Sequence, residues 1–218
     1  TMAIAVPLGV ISAAKKNGWF DNFVTFFSFA GMSIPSFWLA LMLMFLFSVK
    51  YNLLPAAVMY DPALKDPSIL LRIWDVTLHM VLPVLTMVIT GLAGITRYVR
   101  SSMLEALSQN YIKAARARGL YERTVIYKHA LRNALLPLIT LLGLSLPDLF
   151  AGAFIIETIF AWPGMGRLGV FAIFSRNYPV IMGVVMLSAV LIVLGNLAAD
   201  VCYALADPRI RYEKIQKK

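Results

Sequence analysis

Charge is what this chain has least of. Among 218 residues only 14% are Asp, Glu, Lys or Arg, while 60% are hydrophobic, and the mean hydropathy is +0.77. So few charges could not solvate the exterior of a water-soluble domain, which points to a bilayer as the surrounding medium. Cysteine is nearly absent: Cys202 is the single one, within an apolar run. That excludes an internal disulfide and a cysteine-based metal site, and leaves a small buried hydrophobe as the simplest reading. There are two histidines, His79 and His129, and no Gly-x-x-x-x-Gly-Lys-Ser/Thr run. The chain therefore has no phosphate loop for ATP, and no Ser-His-Asp or Cys-His grouping with a supporting residue. We expect no enzyme chemistry and no cofactor. Low-complexity linkers and internal repeats are also missing.

Long apolar runs are plentiful. Four reach the ~20 residues a crossing helix needs: roughly Phe23–Val49, Thr77–Ile95, Ala134–Phe160 and Val180–Leu205. A fifth, Met2–Ala14, is shorter and is followed, not preceded, by Lys15 and Lys16. A signal peptide has the opposite order, so the run reads as the second half of a span that begins upstream. Turn signals separate the runs at Asn17-Gly18, Leu54-Pro55, Asp61-Pro62, Asp66-Pro67 and Trp162-Pro163-Gly164. Pro7, Pro35, Pro83, Pro137 and Pro147 fall inside spans and predict kinks. Gly143, Gly152, Gly183 and Gly195 read as points of close helix packing.

The net charge of +9 matters through its placement. With five crossings, 15 of the 20 lysines and arginines fall on one side. They cluster at 15–16, between Arg97 and Arg132, and after Arg209. The positive-inside rule makes that side cytoplasmic. It places the tail 206–218 inside and the loops 50–76 and 161–179 outside. The whole of 1–218 is read as one membrane domain, with 97–132 as a cytoplasmic loop within it. The basic excess is thereby assigned to topology, not to nucleic acid.

Acids inside spans are costly and so draw a functional reading. Asp148 lies nearest mid-span, directly after Pro147, and could serve a proton-coupled carrier acting alone. Glu157 and Asp200 lie close to span ends, where pairing with Arg167 or Arg209 is the simpler account.

The loop is the most informative stretch. Ser101–Leu120 has helix-forming composition, with Met103, Leu107 and Tyr111 recurring every fourth residue. Ser108 or Asn110 could cap a second short helix, and Gly119 stands as its stop. Lys113, Arg116 and Arg118 flank Ala114 and Ala115. Such a helix could lie on anionic lipid or seat in a groove on a partner. The two alanines permit close approach and tilt the reading slightly toward docking. A membrane scaffold that recruits a partner without transport would carry such a loop too.

The run Lys113-Ala-Ala-Arg-Ala-Arg-Gly119, with Leu136-Pro137 beyond it, resembles the cytoplasmic coupling motif of ABC-importer permeases. Lys113 replaces the glutamate of the sugar-type motif, and the interval to the proline is longer. Both departures resemble the dipeptide/oligopeptide/nickel permease family, in particular the first permease of its pair. Ser33-Ile-Pro-Ser-Phe-Trp38, Glu157-Thr-Ile-Phe-Ala-Trp-Pro-Gly-Met-Gly-Arg167 and Asn177-Tyr-Pro-Val-Ile-Met-Gly183 extend the resemblance nearly end to end. So do Gly195-Asn196, Asp200 and Asp207-Pro-Arg-Ile-Arg-Tyr212.

The resemblance implies an all-α type I importer permease of six spans, about five of them present, in a prokaryotic cytoplasmic membrane. It also implies a second homologous permease, two ATP-binding cassette ATPases and an external solute-binding protein as partners. Tyr111, Lys113, Ala114, Ala115, Arg116, Arg118 and Gly119 would contact an ATPase. Asp148, Glu157, Asn196 and Asp200 are candidates for the translocation path or its gating. Peptides are the expected cargo, with nickel chelates, oligosaccharides and glutathione as alternatives.

Overall fold

The computed structural model describes residues 1–64, 67–135, 137–138 and 153–206, with side chains to residue 198. Among the described residues the regular elements are all helices and there is no strand. The helices are α1 (Met2–Ala14), α2 (Trp19–Ser33), α3 (Ser36–Met44), α4 (Ile69–Ser108) and α5 (Asn110–Ala117). After these come α6 (Glu122–Thr124), α7 (Leu131–Ala134), α8 (Phe154–Ile159), α9 (Met165–Phe174) and α10 (Tyr178–Ala206). Phe45–Lys50 and Val125–Ala130 are π-helical turns that continue α3 and α6.

The expected spans are only partly single helices. Phe23–Val49 is interrupted: α2 ends at Ser33, and Pro35, extended at φ −61° and ψ 136°, caps α3. The residue before a proline is pushed out of the α region, and the proline cannot donate into the preceding turn. Thr77–Ile95 is the middle of a much longer helix. α4 runs for 40 residues through Pro83 to Ser108, so Arg97 and Arg100 are helical and not in a loop. Of Ala134–Phe160, most lies outside the described residues, but its end is a separate helix, because Ala153 at φ −94° and ψ 69° starts α8 afresh. Val180–Leu205 falls within α10. Among the described residues two helices, Ile69–Ser108 and Tyr178–Ala198, are long and apolar enough to cross a membrane, and Trp19–Ser33 with Ser36–Lys50, bent by 95°, adds a third if the pair is one broken span. Pro147, Gly143 and Gly152 lie outside the described residues, as does the side chain of Cys202.

The chain divides into two compact units. One draws on Thr1–Ser33, Gly91–Leu146 and Gly195–Lys218, the other on Ile34–Thr90 and Pro147–Leu194, each as far as described. The first unit holds a core in which Val10 and Ala13 of α1 meet Val99, Met103 and Ala106 of α4. Gly9 lets α1 approach that closely: a Cβ there would sit 2.7 Å from the Val99 side chain and 2.8 Å from the Thr96 carbonyl. Gly183, by contrast, has open space around it within this chain. The second unit is built around Ala40, Leu82, Ile156 and Phe160.

The large side chains of α10, among them Met182, Val185, Met186, Val193 and Leu197, are exposed. Only 6% of its most apolar window is buried within the chain. Apolar surface of that extent requires lipid or another polypeptide against it.

Candidate functional site

The first unit carries the basic helix singled out from sequence. α5 has two faces. Ile112 (0% exposed) and Ala115 (1%) point inward and belong to the same core as Met103 and Ala106 of α4, Val125 and Ala130. Tyr111, Lys113, Ala114, Arg116 and Arg118 are exposed. The spacing of three residues between Ile112 and Ala115 is what one helical face requires. The two alanines therefore have different duties. Ala114 is free to meet a partner, whereas Ala115, expected beside it among the residues that contact an ATPase, is taken up inside the chain.

The ends of α5 follow from backbone chemistry. Gln109 is its N-cap, in an extended conformation and without a side-chain capping bond. Neither Ser108 nor Asn110 takes that role, because α4 continues through Ser108, whose hydroxyl donates back to the Glu105 carbonyl at 2.7 Å. Gly119 does end the helix as expected. It sits at φ +75°, a left-handed conformation that glycine adopts without steric cost. The Gly119 amide donates to the Arg116 carbonyl at 2.9 Å, and the Leu120 amide to that of Ala115 at 3.4 Å. These two bonds form a Schellman cap.

One partner on this surface escaped the sequence reading. Glu122 accepts from Nε and Nη2 of Arg116 at 3.1 and 2.6 Å. The guanidinium holds the Glu122 carboxyl below its usual range, and the carboxylate raises Arg116 in turn. Arg116 thus presents less free charge than Lys113 or Arg118. The six-residue separation across a glycine cap is the only sequence signal for this pair. Beside α5 lies a groove of about 570 Å³ whose lining includes Glu105, Gln109, Tyr111, Asn133 and Pro137. Its polar walls open where α4 turns into α5.

A second arginine–carboxylate pair was also missed. Asp21, in the first turn of α2, is 1% exposed. It accepts from Nε and Nη2 of Arg100 at 2.5 and 2.7 Å, from the Ser12 hydroxyl at 2.5 Å and from the Asn17 amide at 2.9 Å. Four donors on one carboxylate tie α1, the turn at Asn17, α2 and α4 together. An acid three residues after an Asn-Gly turn, in a chain with an arginine-rich segment, was the available signal.

Glu157 lies in the second unit, where it accepts from the backbone amides of Ala153 at 3.0 Å and Arg167 at 2.9 Å. Arg167 is a neighbour, as expected, but the contact is through its amide. Its guanidinium instead donates to the Ala161 carbonyl. A Cβ on Gly164 would lie 2.3 Å from the Glu157 carboxyl, so only glycine fits there. Asn196 is exposed on α10. Asp200 is on the same helix with its side chain outside the described residues, and Asp148 lies outside them altogether. His79 is buried, its Nδ1 lying 2.8 Å from the Asp75 carbonyl. Among the described residues no group of three or more His, Cys, Asp or Glu is placed to hold a metal ion.

Comparison with known proteins agrees with these features. Residues 5–212 match the family described as binding-protein-dependent transport system inner membrane component. The chain is 44% identical over 211 residues to the oligopeptide transport system permease protein AppB of Bacillus subtilis, covering 97% of this chain and 65% of that protein. It is 42% identical over 228 residues to the dipeptide transport system permease protein DppB of Escherichia coli, covering 97% and 67%. It is 41% identical over 219 residues to the di/tripeptide transport system permease protein DppB of Pseudomonas aeruginosa, covering 94% and 65%. The chain thus spans about two thirds of the length of these relatives. An all-helical chain with bilayer-length apolar helices, matched over nearly its whole length, is a membrane protein that belongs to the binding-protein-dependent transport system inner membrane component family.

Proposed function

We propose that this chain forms the translocation path of an ATP-driven importer of peptides, as one permease of a pair. The observation that carries this reading is the two-faced helix α5. Its inner face shares one core with α1 and α4, while its outer face is basic, exposed and ends in a rigid glycine cap. A push on such a helix is transmitted to the helices it packs against, because a packed core shifts as a body. The given residues hold no phosphate loop, and in this reading ATPase subunits on other chains supply the force. A second permease and an external solute-binding protein complete the proposed assembly, and the names of the relatives favour peptides as cargo.

In this reading Tyr111, Lys113, Ala114, Arg116, Arg118 and Gly119 face the ATPase, with Ala115 holding the helix from behind. The loop 97–132 and the tail 206–218 are cytoplasmic, and the protein crosses a prokaryotic inner membrane several times. Asn196, Asp200 and Asp148 remain candidates for the path. Glu157 acts at the turn that precedes α9, where a change in its hydrogen bonds would alter gating.

The test is Ala114→Trp in the full-length protein, assembled with its partners in liposomes. Ala114 is exposed, so folding is preserved while the docking surface is blocked. Uptake of a labelled dipeptide should fall at least ~10-fold, the effect of losing ~1.4 kcal/mol of coupling, while basal ATP hydrolysis persists. Unchanged uptake would sink the assignment of α5. Uptake that continues without ATP would point instead to a coupled carrier.

A further inference from the structure

In the second unit, two residues other than glycine hold left-handed backbone at the two ends of one hydrogen bond. Val58 has φ +70° and Ala161 φ +51°, and the Val58 amide donates to the Phe160 carbonyl at 2.8 Å. Val58 lies in the segment 51–61, which follows the π-helical turn Phe45–Lys50. Phe160 and Ala161 begin the turn between α8 and α9. Rotation about φ swings the peptide group that precedes the residue. The angle at Val58 therefore aims the donor, and the angle at Ala161 aims the accepting carbonyl of Phe160. Ala161 stands where a helix end usually places glycine. Its amide donates to the Thr158 carbonyl at 3.3 Å, and the Trp162 amide to that of Glu157 at 2.8 Å. Val58 is the more strained of the two, because a β-branched side chain is poorly suited to positive φ.

Packing does not hold Val58 in this state, since it is 40% exposed. The segment is fastened on both sides of it instead. The Leu53 and Leu54 amides donate to the Phe47 carbonyl at 2.8 and 3.2 Å. The Asp61 amide donates to the Asp75 carboxylate at 2.8 Å. Phe160 is 1% exposed within the core of the unit, so the acceptor is fixed in place. Among the described residues, the Val58 bond is the one hydrogen bond from this segment to the α8–α9 hairpin. The hairpin is braced independently: Glu157 accepts from the amides of Ala153 and Arg167. A Cβ on Gly166 would lie 2.6 Å from the Cα of Phe154. The strain at Val58 is comparable with the net worth of one hydrogen bond, so the joined and parted states lie close in energy.

We infer that the segment 51–61 is a strap closed on the α8–α9 turn, with Val58 as its catch. It opens when Val58 relaxes to a negative φ and its amide leaves the Phe160 carbonyl, while the anchors at Phe47 and Asp75 hold. In the proposed topology both pieces face outward, and the strap regulates the outer side of the path. That consequence rests on the transport reading; the strap itself does not.

The experiment follows amide exchange by mass spectrometry on the full-length protein in detergent, without partners or cargo. Val58→Gly removes the strain and keeps the donor, so exchange at position 58 should slow ~10-fold, equivalent to ~1.4 kcal/mol. Val58→Asn should slow it less, since asparagine tolerates this region better than valine. Ala57 is not among the residues with positive φ. Ala57→Gly should therefore speed exchange, because glycine there adds freedom and relieves nothing. Val58→Pro removes the donor and opens the catch, yet the Leu54 and Asp61 amides should stay protected. Exchange that Val58→Gly leaves unchanged or speeds overturns the inference. So does a Val58→Pro variant in which Leu54 and Asp61 lose their protection. In the reconstituted importer, Val58→Gly should lower uptake of a labelled dipeptide by up to the factor seen in exchange, because the strap opens less often. Slowed exchange with wild-type uptake overturns the regulatory role. The assignment of α5 is tested separately by Ala114→Trp, so the two failures are told apart.

Discussion

Two bidentate arginine–carboxylate pairs in this molecule have the same chemistry and opposite settings. Arg100–Asp21 is enclosed, with the aspartate side chain 2% exposed and the arginine 25%. Arg116–Glu122 lies on the surface, with exposures of 44% and 56%. The enclosed carboxylate has Ser12 and the Asn17 amide as further donors, whereas the surface one has the guanidinium and water. Desolvation is the difference. A buried pair holds its neighbours in place because breaking it strands a charge, while an exposed pair trades water for a partner at little net gain. The first pair is thus an anchor for α1, α2 and α4. The second trims the charge that α5 displays.

The contrast can be broken most severely at Asp21. Asp21→Ala leaves Arg100 without its partner and should cost about 3–5 kcal/mol, read as a loss of thermal stability of the full-length protein in detergent. A similar loss from Glu122→Ala would show that burial does not separate the two pairs. Ile112→Ala comes next. It opens a cavity beneath α5 and should cost about 3 kcal/mol, with faster amide exchange confined to the α5 region. Uniform exchange across α4 as well would mean that α5 is not separately anchored. Gly119→Ala forces a side chain into the left-handed region and should cost about 1 kcal/mol, visible as fraying of the last turn of α5.

The smallest effect belongs to the surface pair. Glu122→Ala should change stability by less than about 0.5 kcal/mol. The pH dependence has a definite sign. Because the Glu122 carboxyl is held below its ordinary value of 4.5, its contribution is present above that pH. It is lost as the pH falls through the lowered value. Added salt should shrink it further. A wild type and a Glu122→Gln variant whose unfolding temperatures converge below pH ~4 would agree with this, and a gap that widens on acidification would contradict it.

Much of this architecture was readable from residue order. The apolar runs announced a helical membrane protein, and α5 with its stop at Gly119 followed from alanine, basic residues and one glycine. The run of motifs from Ser33-Ile-Pro to Asn177-Tyr-Pro pointed to the family that the comparison then established. Other features were not legible. Pro35 signalled a kink, but whether a kink bends or ends a helix depends on what packs around it. The continuation of α4 past Arg97 was hidden because charge was read as the end of a helix, although an arginine is a good helix former that only has to leave the apolar layer. The close approach at Gly9 and the fit of Gly164 to Glu157 depend on neighbours 90 and 7 positions away.

Composition and periodicity by themselves determined the solvent of this protein, its helical class and the helix on which a partner could act. Those properties are sums over local residues and need no knowledge of contacts. Tertiary structure alone decided which of two adjacent alanines is available, which arginines have their charge already matched, and which carbonyl the Val58 amide meets. Each of these depends on distances between residues far apart in the chain, such as the 79 positions between Asp21 and Arg100. Hydrophobic order is written along the sequence, but the pairing of buried polar groups exists only once the helices have met.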